Sequence, residues 1–584
     1  MIITLANNPK DCLIRDFRVG QFFTILSAMP GRKKWVDNQL VFQPSGANIE
    51  YLLANLPELD WHESASKFRD GYLELKMQEE NTRASKQETL TDSSGYEHKV
   101  APFKHQEKAF LVSRDRNAFA LFHEQGTGKT KVIIDTAAYL FEKGEIDTLI
   151  VIASNGAHIN WVLEEIPVHM PDRIPYQSVY FSINWRDAEL RNMMAAARSR
   201  QPGVLQIITF YIEGVRYLRD GSEGKMQELI LAWMKNTKLG VMTVVDESTI
   251  IKNHSTDQTK FVVKCRVLSK YRRIMTGTPL TTGIENLYSQ FLFLDPDILG
   301  HTSYSSFKAE YCVMGGFENR EIKHYRNIEK LMKIIDGHSD RVLEKDCLDL
   351  PKQRWKRRRF ALCPPQQRLY DAYRKQSLAE IQEILGEDQG IKAAKEISIV
   401  RALRLQQISC GLSPEHDPKR LEGKNERMEA LMQEVEECRA GGHKILIWCR
   451  FLPDLRDIHK ALGPAAVGHY GGIGEDERIL ARKKIQTDDK THYLVASRSA
   501  ARSFTFTAAD RSIYHSQNSS LDDRLQSQKR NHRIGTTTGV LYTDLELACR
   551  GSIDVKIINA LRKHKSLADQ INNDPASIFM EEEE

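Results

Sequence analysis

Paired cysteines, a strong charge of either sign and long apolar runs are all missing from this sequence. Its nine cysteines, at positions 12, 265, 312, 347, 363, 410, 438, 449 and 549, form no CxxC pair and stand at no zinc-ligand spacing with histidine. That argues against a disulfide scaffold, a redox pair or a zinc site, and for reduced, mostly structural thiols. No apolar stretch is long enough to span a bilayer and the N-terminus is unlike a signal peptide, so a cytoplasmic or nucleoid-associated chain with no membrane partner is expected. A net charge of +5 over 584 residues is mild, so a polyanionic partner must be argued from motifs and not from bulk charge. No nuclease-like constellation of carboxylates is visible either, and covalent processing of a nucleic acid is not expected.

What is present is the composition of an ordinary globular protein, 41% hydrophobic and 28% charged, on a chain longer than one core supports, so about three domains are expected. Residues 12–61 mix short apolar stretches with turn signals at 30–31, 44–46 and 56–58, which predicts a small α/β module over 1–80. The polar, aromatic-free run at 79–95, EENTRASKQETLTDSSG, reads as a linker, placed at 81–100. From 101 to 300, strand-length apolar runs (TLIVIAS at 148–154, VLQIITF at 204–210, VMTVVDE at 241–247) alternate with amphipathic stretches, the pattern of a parallel sheet with crossover helices. Charge-rich helical segments at 369–385 and 393–408 suggest helical insertions and a lobe junction over 301–425. The α/β pattern restarts with KILIWC at 444–449 and HYLVAS at 492–497, giving a second lobe over 426–545. A C-terminal helix and a solvated tail of four glutamates fill 546–584.

The chemistry concentrates at HEQGTGKT, 123–130, which follows the apolar run FALF and precedes a helical pattern. Strand, glycine loop and helix in that order make a Walker A phosphate loop. Gly126, Thr127 and Gly128 would wrap backbone N–H groups around phosphate oxygens, Lys129 would reach the β and γ phosphates, and Thr130 would ligate Mg²⁺. The general pattern's first glycine is His123 here. VVDEST, 244–249, ends an apolar strand in two carboxylates: Asp246 to hold magnesium, Glu247 to position and deprotonate an attacking water. TGTPLTTG follows at 276–283, with threonine hydroxyls placed to sense the nucleotide.

In motif order, and across roughly 101–570, these residues resemble the Snf family of superfamily 2 helicases, in a compact prokaryotic or viral form. FKHQEKAF, 103–110, resembles the adenine-reading Q motif through Gln106; SNGAHINWVLEEI, 154–166, resembles the next motif through Trp161 and Glu165; ITFY, DESTIIKN and TGTPL follow. DRVLEKDCLDLP, 340–351, resembles the segment joining the lobes, and Gln367 with Tyr370 opens the helical part of the second lobe. QSQKRNHRIG, 526–535, resembles the motif whose two arginines act as arginine fingers on the γ-phosphate, here Arg530 and Arg533. GSIDVKIINALRKHKSLA, 551–568, resembles the closing brace. The resemblance implies two RecA-like lobes, ATP and Mg²⁺ as cofactors, and a nucleic-acid-stimulated ATPase.

The sequence departs from the family where Ala500, Ala501 and Ser503 replace glycines and where Thr249 replaces a histidine, which bears on coupling between lobes more than on ATP binding. By the same resemblance Ser154, Thr209, Lys252 and Arg498 are nominated as nucleic-acid contacts. RWKRRRF, 354–360, reads either as a lobe-two strand with solvated charges or as a DNA contact. Arg32, Lys33, Lys34 and Trp35 read either as a DNA grip or as a turn and strand with Trp35 in a small core. The expected function is ATP-dependent translocation on double-stranded or branched DNA by a monomeric motor, remodelling DNA or displacing bound proteins, with a polymerase or other DNA-bound protein as a possible partner. The alternatives are a strand-separating helicase on DNA or RNA, the motor of a larger restriction or transcription-recycling assembly, and a degenerate motor serving as a nucleic-acid or polymerase-binding clamp.

Overall fold

The computed structural model describes residues 2–6, 11–15, 25–26, 28–29, 33–36, 39–87, 92, 94–182, 188–189, 191–192, 195, 201–215, 224–280, 283–301, 303–315, 321–347, 353–386, 390–497, 500, 506–518, 520–532 and 542–563. The chain divides into two compact units, Met1–Cys347 and Leu348–Glu584. No helix among the described residues is long and apolar enough to cross a membrane.

The first unit begins with a five-stranded mixed sheet of β1 (Ile2–Leu5), β2 (Cys12–Arg15), β3 (Lys33–Val36), β4 (Gln39–Phe42) and β5 (Asp60–Trp61), in the order β3-β4-β2-β1-β5. Helix α1 (Gly46–Asn55) closes its core and is capped by Ser45, whose hydroxyl accepts from the Asn48 N–H. Trp35 packs against this core, the structural alternative for that residue, while Lys34 on the edge strand β3 is exposed. Arg32 lies outside the described residues.

Helix α2 (Glu63–Gln87) corrects the linker assigned to 81–100, because it runs through the first part of that polar segment. Composition misleads here: the helix has no apolar stripe at its C-terminal end and is held by distant partners. Arg83 donates to the Lys333 carbonyl at 3.0 Å, Lys86 pairs with Asp336 at 2.7 Å, and buried Glu79 faces His338 at 3.4 Å.

Next, α3 (Lys104–Ser113) leads into a seven-stranded, all-parallel sheet of β6 (Ala118–His123), β7 (Thr148–Ala153), β8 (Tyr176–Tyr180), β9 (Leu205–Tyr211), β10 (Val241–Asp246) and β11 (Tyr271–Met275). After an antiparallel hairpin of β12 (Cys312–Gly315) and β13 (Glu321–Tyr325), and the helix α4 (Ile328–Gly337) that meets α2, β14 (Ser339–Val342) completes it, in the order β14-β6-β11-β10-β7-β9-β8. β7 and β9 are buried along their whole length, as a sheet covered on both faces requires. Alternate residues feed two separate cores: Phe122, Ile150, Ile208 and Val245 one, Leu121, Val151, Ile207 and Val244 the other.

The second unit is a six-stranded parallel sheet of β15 (Gln353–Phe360), β16 (Ile445–Trp448), β17 (Ala466–His469), β18 (Tyr493–Ala496), β19 (Arg511–Tyr514) and β20 (Tyr542–Cys549), in the order β15-β20-β19-β16-β18-β17. This redraws the expected boundaries. The 301–425 segment is not purely helical: β14 belongs to the first sheet and β15 to the second, where β15 pairs with β20 along eight residues. The helices α5 (Pro364–Leu385) and α6 (Gly390–Ser409) were expected, and they pack into the second unit's own core together with α7 (Glu426–Ala440) and the C-terminal helix α8 (Ile553–Arg562). The brace is therefore an integral part of this unit, and the Tyr370 hydroxyl accepts from the Ile553 N–H at 2.8 Å. Both units are RecA-like α/β lobes.

The basic segment 354–360 lies in strand β15 of the second lobe, with Lys356 and Arg359 exposed. Lys356 and Arg358 pair with Glu434 on α7, and Arg357 donates to Asn559 on α8.

Candidate active site

Three adjacent strands of the first sheet end together. In the β6, β11, β10 trio, Leu121 is registered with Met275 and Met275 with Asp246, so HEQGTGKT, TGTPL and the Asp246–Glu247 pair all emerge at one carboxyl edge. In open α/β sheets this edge is where ligands bind.

The loop after β6 has the shape needed to surround an anion. Gly126 and Gly128 adopt φ of 84° and 86°, a region that side chains disfavour. A Cβ on Gly128 would also collide with the Gln106 amide. Gln106 is buried and links two backbones: its Oε1 accepts from the Phe103 N–H at 3.0 Å and its Nε2 donates to the Thr127 carbonyl at 3.0 Å. The Thr127 hydroxyl closes the loop on the Glu124 carbonyl at 2.7 Å. The helix Lys129–Glu142 starts at the loop's end and directs its positive dipole end there. Lys129 Nζ donates to the His123 and Glu124 carbonyls at 2.8 and 3.2 Å, oxygen acceptors of the kind that phosphate would replace. Thr130 follows it, half-buried.

His123 now has a physical account. It sits inside β6 with no left-handed backbone demand, fully buried, its Nε2 2.6 Å from Asp340 on β14. Burial lowers its pKa while Asp340 opposes the shift. The side chain ties the entrance of the phosphate loop to the sheet's edge strand.

The carboxylate pair is held from two sides. Asp246 accepts the Trp161 indole N–H at 2.9 Å, and burial followed by the adjacent Glu247 carboxylate raises its pKa from 3.8 to about 6. Glu247 has φ 51° and ψ 61°, and with Asn327 it is one of two non-glycine residues at positive φ among the described residues. Such a conformation costs about 1–3 kcal/mol and persists only where surroundings impose it. Here Thr276 donates its hydroxyl to Glu247 Oε2 at 3.0 Å, and Gln125 Nε2 lies 3.5 Å from Oε1. A raised carboxylate beside a second one is a donor set that a divalent cation would neutralise, so the residues present fit Mg²⁺ bound with a nucleotide.

One consequence is measurable. Because Asp246 titrates higher in the folded state, its charge penalises folding as pH rises from about 4 to about 6, and the penalty is complete above that interval. Asp246→Asn should therefore raise the melting temperature of the nucleotide-free protein at pH 7 while weakening Mg-ATP binding. The stabilisation should shrink towards zero as the pH is lowered to 4; a variant less stable than the parent at pH 7 would refute this account.

Sequence reasoning overlooked Trp161 and Thr276 as the residues that orient the carboxylates, although both lie in motifs it singled out. Their signal was a single indole and a single hydroxyl, and only the strand register shows where they point.

The nominated nucleic-acid contacts fare unequally. Thr209 is corrected: it is fully buried and its hydroxyl donates to the His158 carbonyl at 2.7 Å, leaving nothing to present to a ligand. Ser154 is buried at the end of β7, with no protein hydrogen-bond partner for its hydroxyl. Lys252 is exposed just after the carboxylate pair. Arg498 lies outside the described residues, as do Arg533, Ala501 and Ser503; Ala500 is fully buried. Arg530 is half-buried in the second unit, just past helix Leu521–Gln528, with its Nε donating to the Gln526 carbonyl at 3.0 Å.

The SNF2-related domain family matches residues 103–412 and the helicase conserved C-terminal domain matches residues 426–535. The chain is similar to the CHD3-type chromatin-remodeling factor PICKLE of Arabidopsis thaliana, 24% identical over 344 residues that make up 55% of this chain and 23% of that one. It is also similar to the chromodomain-helicase-DNA-binding protein 3 homolog of Caenorhabditis elegans, 25% identical over 339 residues, 55% of this chain and 18% of that one. The chain thus spans about a fifth of the length of these relatives. Among solved structures, the Sulfolobus solfataricus SWI2/SNF2 ATPase core in complex with double-stranded DNA aligns over 84% of this chain and 97% of its own, with 23% identity and a TM-score of 0.36.

Proposed function

Because this chain belongs to the SNF2-related family and carries the helicase C-terminal domain beside it, we propose that it is an ATP-hydrolysing motor that translocates on double-stranded DNA, remodelling DNA or displacing bound proteins. The observation that carries the reading is the convergence of Lys129, Asp246 and the Thr276–Glu247 pair at the ends of three neighbouring strands. In this reading Lys129 exchanges its loop carbonyls for phosphate oxygens, and the N–H groups of 126–130 hold the rest of the phosphate chain. Gln106 keeps the loop in shape beside the base. Thr130 and Asp246 would hold magnesium, which supplies positive charge to the phosphates when bound. Glu247, fixed by Thr276, orients a water and takes its proton. Arg530 and Arg533 supply guanidinium charge to the transferring phosphoryl group, so that turnover depends on the second unit.

Duplex DNA as the track rests on the family and on relatives whose names include DNA binding and chromatin remodelling. The test is steady-state ATPase activity with duplex DNA, single-stranded DNA, forked DNA or RNA, with Lys129→Ala as the control. Duplex DNA should stimulate turnover most, and the variant should abolish it. Turnover that responds to RNA or single strands alone, accompanied by strand displacement, would replace this reading with a helicase. ATP binding without stimulation by any nucleic acid would replace it with a clamp or a partner-activated motor.

A further inference from the structure

The second unit contains a cluster with no role in the ATP reading. Trp448 and Tyr514 are register partners at the ends of β16 and β19, so the next residues, Cys449 and His515, leave the sheet side by side. Cys410 follows α6, and Asp454 lies in the first turn of the helix Leu452–Leu462. One ligand atom each from Cys410, Asp454 and His515 lies within 4.8 Å of the others. All three residues are 0–1% exposed. Cys449 is buried as well, but its sulfur is not one of the three grouped ligand atoms.

Neither ring nitrogen of His515 has a hydrogen-bond partner of good geometry, and neither has Asp454 Oδ2, which stands 3.4 Å from His515 Nε2. Polar atoms left bare in a dry interior are costly and call for an explanation such as an ion. The other Asp454 oxygen accepts from Arg420 Nη2 at 3.0 Å, which fixes the carboxylate's orientation. Thiol, imidazole and carboxylate together suit a zinc-class ion, whereas magnesium and calcium take oxygen ligands.

We propose that Cys410, Asp454 and His515 bind a zinc-class divalent ion that ties the end of β19 to the ends of two helices. Its ligands are far apart in sequence, which is why no ligand spacing is visible. Binding displaces the thiol proton, so affinity rises with pH.

The test is the metal content of the full chain, purified from zinc-supplemented medium without chelator and then dialysed, together with the absorption spectrum after exchange with cobalt. About one zinc per chain and tetrahedral cobalt bands with thiolate charge transfer are expected. Cys410→Ser should weaken the charge-transfer band, while Cys363→Ser, outside the cluster, should leave it unchanged. A parent chain that retains no zinc and gives no cobalt–thiolate band overturns the proposal, as does a band that survives intact in Cys410→Ser. Should a cluster variant fail to fold, the parent's stoichiometry and spectrum decide alone. None of these readouts depends on ATP turnover.

Discussion

Glu247→Gln should still bind ATP but hydrolyse it about 10²–10⁴ times more slowly, the contribution of a positioned general base. The substitution is well suited to the question because the amide oxygen can accept the same Thr276 hydroxyl that Glu247 Oε2 accepts at 3.0 Å. The side chain's position and the unusual backbone at φ 51° are thereby kept, and only the capacity to take a proton is removed. Single-turnover hydrolysis measured beside equilibrium ATP binding separates the two effects. A rate near that of the parent, with binding intact, would remove Glu247 from the role of base.

The largest effect on stability is expected in the second unit. Arg427 and Asp554 form a fully buried ion pair in the second unit, at 0% and 1% side-chain exposure. Arg427 also donates to the carbonyls of Ser409 and His515. Burial works against its charge most, and Asp554 together with the neighbouring acidic groups holds its pKa above the ordinary arginine value. Arg427→Ala would leave a buried carboxylate without its counter-charge and should cost about 3–5 kcal/mol. Replacing both partners with apolar residues of similar volume should recover most of the loss, because the surviving charge is then gone as well. Denaturant titrations of the parent, single and double variants measure this. Equal destabilisation in the single and double variants would mean that the arginine acts by packing alone.

The sequence was most informative where one short segment holds a whole device. The loop from His123 to Thr130 carries its glycines, lysine and threonine in consecutive positions, and the apolar strands on either side of it announce a parallel sheet. It was least informative where partners are distant. Nothing in EENTRASKQ marks a helix, since the groups that hold it, the Lys333 carbonyl, Asp336 and His338, come about 250 residues later. Thr209 was nominated as a contact by its place in a motif, and only the His158 carbonyl beneath it shows that the hydroxyl is engaged inside. β15 was read as a strand with solvated charges or as DNA-facing because the carboxylate that pairs with Lys356, Glu434 on α7, is 78 residues away. The boundary of the second unit shifted for the same reason, as β15 and β20 are paired by register and not by proximity in the chain.

The contact between α2 and α4 bears on how such a protein can change over evolutionary time. The N-terminal sheet reaches the nucleotide-binding sheet through a helix whose buried acid, Glu79, faces a histidine from the other side and is also bridged by Lys76 and Arg83 of its own helix. A foreign accessory module grafted onto this motor would strip His338 of its carboxylate and uncover the flank of α4. Exchanging one part without the other would leave the buried His338 ring without the carboxylate that faces it.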